Sequence, residues 1–266
     1  MQGLGPEMTA SLYPMSFWIV LTAILGACFG SFSNVLIYRL PRNLSVVGPR
    51  SFCPHCKKQV SWYDNIPLIS WLILQGKCRG CSAPISPRYL FIEVAGAACA
   101  LGAYFRFGAT FEGVSAAVYL ILLLNIALID WQHMIIPHTL TITGMVLGLA
   151  MSFLTPLSPL HSIFGLALGA GIILLVSYGY KLFRGVVGMG GGDVMMMAMV
   201  GAFQGPWSVL AVLFGGAVLG TFYAIFVGRG NVAGETKLPF GTFLAGAALV
   251  VLLAGDWLWA NYLTLF

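Results

Sequence analysis

Long apolar runs alternate with short polar or glycine-rich connections along most of this chain. Runs over 17–38, 89–105, 113–129, 135–154, 163–182, 207–227 and 240–259 each predict a membrane helix, because about 20 apolar residues cross the hydrocarbon core. A further run over 194–203 corresponds to only about 15 Å of helix. It predicts a short sixth helix, ended by Gly205-Pro206. The pattern therefore predicts an all-α polytopic membrane protein with about eight transmembrane helices. The one long polar stretch, 39–88, divides it into an N-terminal segment with a first helix (1–38), a loop (39–88) and a helical core (89–266).

Composition agrees. Hydrophobic residues make up 59% of the chain and charged residues 8%, against about 25% charged in soluble domains. The first run is longer than a signal-peptide core, lacks a basic lead-in, and is followed directly by Arg39 and Arg42. It predicts a retained span. Eight of the 13 Lys and Arg residues fall in 39–88, with one acid, Asp64. With eight crossings, that loop, Lys181, Arg184, Arg229 and Lys237 all face the cytoplasm. The net charge of +5 follows from this topology and from attraction to anionic membrane lipids, so it calls for no nucleic-acid partner.

The loop carries Cys53-Pro54-His55-Cys56 and Cys78-Arg79-Gly80-Cys81. Two C-x-x-C pairs 21 residues apart fit a four-thiolate zinc ribbon, with Cys53, Cys56, Cys78 and Cys81 as ligands and Gly80 easing the second turn. Two disulfides are the alternative, disfavoured in a reducing cytoplasm. His55 is a bystander once four thiolates complete the shell. Between the pairs, Trp62 to Trp71 is aromatic and apolar, suited to packing on the membrane surface or the zinc module.

Two acids stand at the edges of apolar runs. Asp130 ends the third run, and Asp193 follows Gly188-Met189-Gly190-Gly191-Gly192. Ionisable groups at membrane depth are costly and mark function by default. The plain alternatives are an interfacial carboxylate at 130, solvated or paired with His133, and a helix N-cap at 193. The glycine run lacks the Lys-Ser or Lys-Thr of a phosphate loop and follows no strand, so a nucleotide fingerprint does not fit. Two carboxylates that meet share a proton across a water. One activates that water against a peptide carbonyl while the other hydrogen-bonds the carbonyl oxygen. A transporter using the two carboxylates as a cation or proton site is a rival from another class, and a non-enzymatic zinc-bearing scaffold is a third.

The glycine run with Asp193 resembles the GxGD signature of membrane aspartyl proteases, and Leu238-Pro239-Phe240-Gly241 resembles their proline motif. The whole chain resembles bacterial type IV prepilin peptidases. The matching motifs include Gly30-Ser31-Phe32-Ser33-Asn34, Tyr38-Arg39-Leu40-Pro41, both cysteine pairs, Asn65-Ile66-Pro67-Leu68, Gly76-Lys77-Cys78, Arg88-Tyr89 with Glu93, Asp130, and Gly190 to Asp193. The resemblance implies a bifunctional enzyme of the bacterial inner membrane. Its peptidase, with catalytic Asp130 and Asp193, cleaves basic leader peptides from prepilins and pseudopilins on the cytoplasmic side. Its methyltransferase uses S-adenosylmethionine to methylate the new N-terminus, with Gly76, Lys77 and Glu93 linked to that step. Met195 departs from the family, which often has lysine there.

Overall fold

A computed structural model describes residues 14–185, 189–226 and 238–263. Gly188 and the basic residues Arg229 and Lys237 lie outside them, as does the chain before residue 14. Every regular element among the described residues is a helix, in the order α1 (Met15–Arg39), α2 (Ile69–Ile73), α3 (Arg88–Phe107), α4 (Phe111–His133), α5 (His138–Met151), α6 (Pro159–Arg184), α7 (Gly191–Phe226) and α8 (Phe240–Leu263). Five stretches are long and apolar enough to span a membrane: Met15–Arg42, Arg88–Phe107, Phe111–His133, Pro159–Arg184 and Gly191–Phe226. His138–Met151 and Phe240–Gly255 are shorter apolar helices.

The chain packs as two units, Met1–Ala117 and Val118–Phe266. In the first, α1 lies along α3 through small residues. A methyl group added at Gly26 would stand 2.7 Å from the Gly96 carbonyl oxygen, and one at Gly30 would stand 2.8 Å from Glu93 Cα. Without a hydrophobic force between helices in lipid, such close backbone approach is what holds them. The loop between these helices folds back on itself. Arg39 Nη1 donates to the Ser45 and Gly48 carbonyls at 2.8 and 3.1 Å.

In the second unit α7 is the centre, packed by α5, α6 and α8. Residues 196 to 202 are all buried. Gly165 and Gly169 of α6 meet the α7 backbone at Gly201 and Met197, and Gly144 of α5 meets Met199. The expected break falls at Gly205, whose φ is 78° and ψ 179°, followed by Pro206. Proline has no N–H to give the carbonyl four residues back, which is that of Ala202. Ser162 Oγ of α6 donates to that oxygen instead, at 2.8 Å.

Three boundaries differ from the sequence pattern. The half of α7 before the break starts at Gly191, because helical backbone continues through the glycines. α5 covers only His138–Met151 of the expected 135–154, since Pro137 precedes it in an extended conformation. α4 runs on past Ile129 to His133, so Asp130 sits within a helix rather than after one.

Candidate functional site

Asp130 lies on the last turn of α4 and is 4% exposed. Its partner is Thr242, the third residue of α8, and not His133. The Thr242 backbone N–H donates to Oδ2 at 2.8 Å, shared with the Pro239 carbonyl at 3.1 Å. The Thr242 hydroxyl lies 3.2 Å from the same Oδ2 and 3.0 Å from the Ala127 carbonyl oxygen. A helix leaves its first N–H groups without partners inside it. The first turn of α8 offers one of them to Asp130.

Asp193 takes a matching place on α7. It is the third residue of the helix, and not the N-cap that was the plain alternative. Its Oδ2 accepts the Gly190 N–H at 3.1 Å, while its own N–H donates to the Gly190 carbonyl at 3.1 Å. This is half of a capping box, in which a third-position acid reaches back to the cap. Both carboxylates are therefore fixed through Oδ2 to backbone N–H groups at a helix N-terminus, where the dipole favours negative charge. The short hydrogen bonds from Thr242 and Gly190 run to Oδ2, and the Gly241 N–H adds to the hold on Asp130.

Ile136 joins the two turns. A methyl group added at Gly192 would stand 2.9 Å from Ile136 Cβ, and one at Gly241 would stand 2.7 Å from Ile136 Cδ1 and 3.0 Å from Asp130 Oδ2. Asp130 and Asp193 are close enough to act on one another electrostatically. Met195 is half-buried, the fifth residue of α7.

The four cysteines also converge. Their sulfurs all lie within 4.8 Å of one another and can hold a metal ion. Cys53 Sγ and Cys81 Sγ are 3.8 Å apart, the edge of a tetrahedron with Zn–S distances of about 2.3 Å. The two knuckles repeat one another. Cys53 N–H donates to the Lys58 carbonyl and Lys57 N–H to that of Cys53; Cys78 N–H donates to Ala83 and Ser82 N–H to Cys78. Lys57 and Ser82, each four residues after the first cysteine, have φ of 60° and 57°. The left-handed residue of the second turn is thus Ser82, not Gly80. Gly80 instead donates its N–H to Cys78 Sγ at 3.4 Å, and a methyl group there would meet the Lys58 side chain at 3.3 Å.

The crowded sulfurs do not ionise alike. Backbone N–H groups of Cys56 and His55 draw the Cys53 thiol down to about 6. The Ala83 N–H draws Cys81 the same way, but lost solvation and the three neighbouring sulfurs outweigh it and push that thiol up to about 11. Four thiolates this close need a cation among them, which fits a metal and its donor set.

Gly76 and Lys77 follow α2 and enter the second knuckle, where Lys77 bridges to Pro84. Gly76 has a φ of 66°, and a methyl group added there would stand 2.9 Å from Trp71 Cζ2. The buried Trp71 indole N–H has no partner among the described residues. Glu93, on α3, accepts the Leu68 N–H through Oε2 at 2.7 Å. Asp64, the loop's single acid, is gripped by Arg79 at 2.7 to 3.0 Å.

Residues 24–107 match the bacterial peptidase A24 N-terminal domain, and residues 117–225 match the type IV leader peptidase family. A prepilin leader peptidase/N-methyltransferase of Myxococcus xanthus is 39% identical over 231 residues, covering 84% of this chain and 69% of the relative. Proteins of the same description from Stutzerimonas stutzeri and Pseudomonas aeruginosa are 33% and 32% identical, each across 94% of this chain and 95% of theirs. The chain belongs to the type IV leader peptidase family. It is a multi-pass membrane enzyme with peptidase and N-methyltransferase activities, and the transporter reading falls away. No solved structure matches it. For this member of the family, sequence reasoning overlooked Thr242 and Ile136. The only signal for either was proximity to a motif, Thr242 directly after Leu238-Pro239-Phe240-Gly241.

Proposed function

We propose that Asp130 and Asp193 form the catalytic dyad of a peptidase acting on prepilins and pseudopilins with basic leaders, at the cytoplasmic face of the bacterial inner membrane. The observation that carries this reading is the matched seating of the two carboxylates. Each is tied through Oδ2 to a backbone N–H at a helix N-terminus. The two carboxylates are the groups that would hold and deprotonate a water for attack on the scissile carbonyl. The proton then passes to the leaving amine. Glycines beside Asp193 leave room for a peptide backbone, and the carboxylates suit a basic leader.

The loop 39–88 serves the second activity, and the helices over 89–266 serve the first. Zinc is the metal that the four sulfurs fit, in a structural role. S-adenosylmethionine supplies an electrophilic methyl group when bound. Gly76, Lys77 and Glu93 belong to that half of the enzyme, and the orphan Trp71 indole N–H beside Gly76 fits an adenine-bearing cofactor. Freed N-terminal amine is the acceptor.

Asp130→Asn and Asp193→Asn test the dyad. Purified protein in detergent, given a synthetic pseudopilin, should lose leader cleavage in both variants while still methylating a pre-cleaved peptide. Cleavage that survives either change would sink the assignment.

A further inference from the structure

Helix α2 is built inside out for a water-facing loop. Its polar residue, Ser70, is 7% exposed, donating to the Tyr63 carbonyl at 2.8 Å and accepting the Ile66 N–H at 3.1 Å. Its apolar residues point the other way. Leu72 is 61% exposed and Ile73 70%, with Ile69, Ile66 and Trp62 also open. Large apolar side chains gathered on one open face mark a contact surface. The rest of the loop does not cover them, which removes packing on the cysteine module as their explanation.

Glu93 fixes where that face sits along α3. Its carboxylate is 8% exposed and holds the Leu68 N–H at the very start of α2. Leu68 is kept there with a φ of 63°, a conformation that a bulky residue adopts only under constraint. Glu93 lies five residues into α3, whose first residue is Arg88, so the anchor point is about 7.5 Å along the helix from its basic end. Interfacial helices bury their apolar face about 5–10 Å into the boundary of headgroups and acyl chains. The charge of the loop agrees: eight basic residues against one acid, and that acid, Asp64, is already paired with Arg79. An anionic lipid surface is the complement of such a loop.

We propose that α2, with Trp62 and Ile66, is an interfacial anchor seated in the upper leaflet boundary of the bilayer, and that Glu93 is the positioning residue that sets its depth. Gly76 and the second cysteine knuckle follow within a few residues. The anchor thereby fixes the methyltransferase-linked module at the membrane surface, where a substrate still embedded by its apolar segment presents its new N-terminus. That last link rests on the function proposed above; the membrane seat does not.

The test places the photo-reactive p-benzoylphenylalanine at Ile73 or, as a reference, at Lys57 in the full chain. The protein is reconstituted in phosphatidylethanolamine–phosphatidylglycerol vesicles, irradiated and examined by mass spectrometry. Lipid adducts should form at position 73 and be absent at 57. Glu93→Leu should abolish the adduct at 73, while Glu93→Gln, which keeps an acceptor for the Leu68 N–H, should retain it. Bound zinc, measured in each variant, confirms that the loop is still folded. Adducts to protein instead of lipid at position 73, or a lipid adduct that Glu93→Leu leaves unchanged, would overturn the proposal. Loss of cleavage in the Asp130 and Asp193 variants is read in a separate assay and does not bear on it.

Discussion

Gly169→Ala tests whether the α6–α7 contact controls the position of Asp193. The added methyl would stand 2.6 Å from the Met197 carbonyl carbon and closer still to its oxygen, whereas ordinary contact begins at 3.4 Å. Backbone cannot rotate aside as a side chain can, so α6 and α7 must separate by more than about 0.8 Å, the difference between those two distances for the carbon alone. Overpacking of this kind costs about 1–3 kcal/mol. Met197 lies four residues after Asp193, on the same face of α7, so the shift reaches the carboxylate. A misplacement near 1 Å is worth roughly 100-fold in rate. Gly171→Ala is the matched reference, because nothing lies within 4 Å of its added methyl. Leader cleavage and thermal unfolding of both variants in the same detergent give the answer. Gly169→Ala should lose most of its cleavage and unfold earlier, with Gly171→Ala close to the parent. Equal cleavage rates in the two variants would refute the argument that this contact sets the site.

Thr242→Val removes one hydrogen bond to a buried carboxylate, worth about 1.5–3 kcal/mol. It should slow kcat for cleavage by about tenfold or more with little change in KM, and Thr242→Ser should restore most of the loss. A change confined to KM would show that Thr242 touches substrate instead of positioning Asp130. Gly76→Ala meets the Trp71 ring at 2.9 Å and a left-handed φ, so it should reduce methylation of a pre-cleaved peptide more than it reduces cleavage. Equal losses in the two assays would tell against a division of labour. Cys53→Ser with Cys78→Ser should release zinc and impair methylation at least as much as cleavage. Metal analysis finding no zinc in freshly purified parent protein would remove the basis for that prediction.

The helices and the cysteine cluster were legible in the sequence because their signals are local. Apolar length marks spans, C-x-x-C spacing marks a knuckle, and Gly205-Pro206 marks a break wherever it occurs. The clamp on Asp130 was not legible, since Thr242 is 112 residues away and nothing in either segment names the other. The plain alternative for Asp193 was an N-cap, because aspartate after glycines and before an apolar run caps a helix well. In the fold Gly191 and Gly192 are helical and the acid caps from the third position. Close approach explains Gly192, which must clear Ile136. Glu93 was expected to be linked to methylation, and nothing in the sequence signalled that its Oε2 also accepts the Leu68 N–H. That use depends on α3 and the loop lying together, which periodicity cannot register.

The hydroxyl of Ser162 has a consequence for motion. At membrane depth a bare carbonyl has no water to turn to, at a cost of several kcal/mol, so a proline break normally resists being opened further. Here the Ala202 oxygen is served from a neighbouring helix. The segment from Gly191 to Gln204, with Asp193 at its tip, is joined to the rest of α7 by a joint that is already electrically sealed. Tilting about that joint would strain both the Ser162–Ala202 bond and the one from Ser208 Oγ to the Gln204 carbonyl at 3.0 Å, so the break is braced and the segment carrying Asp193 is held against α6.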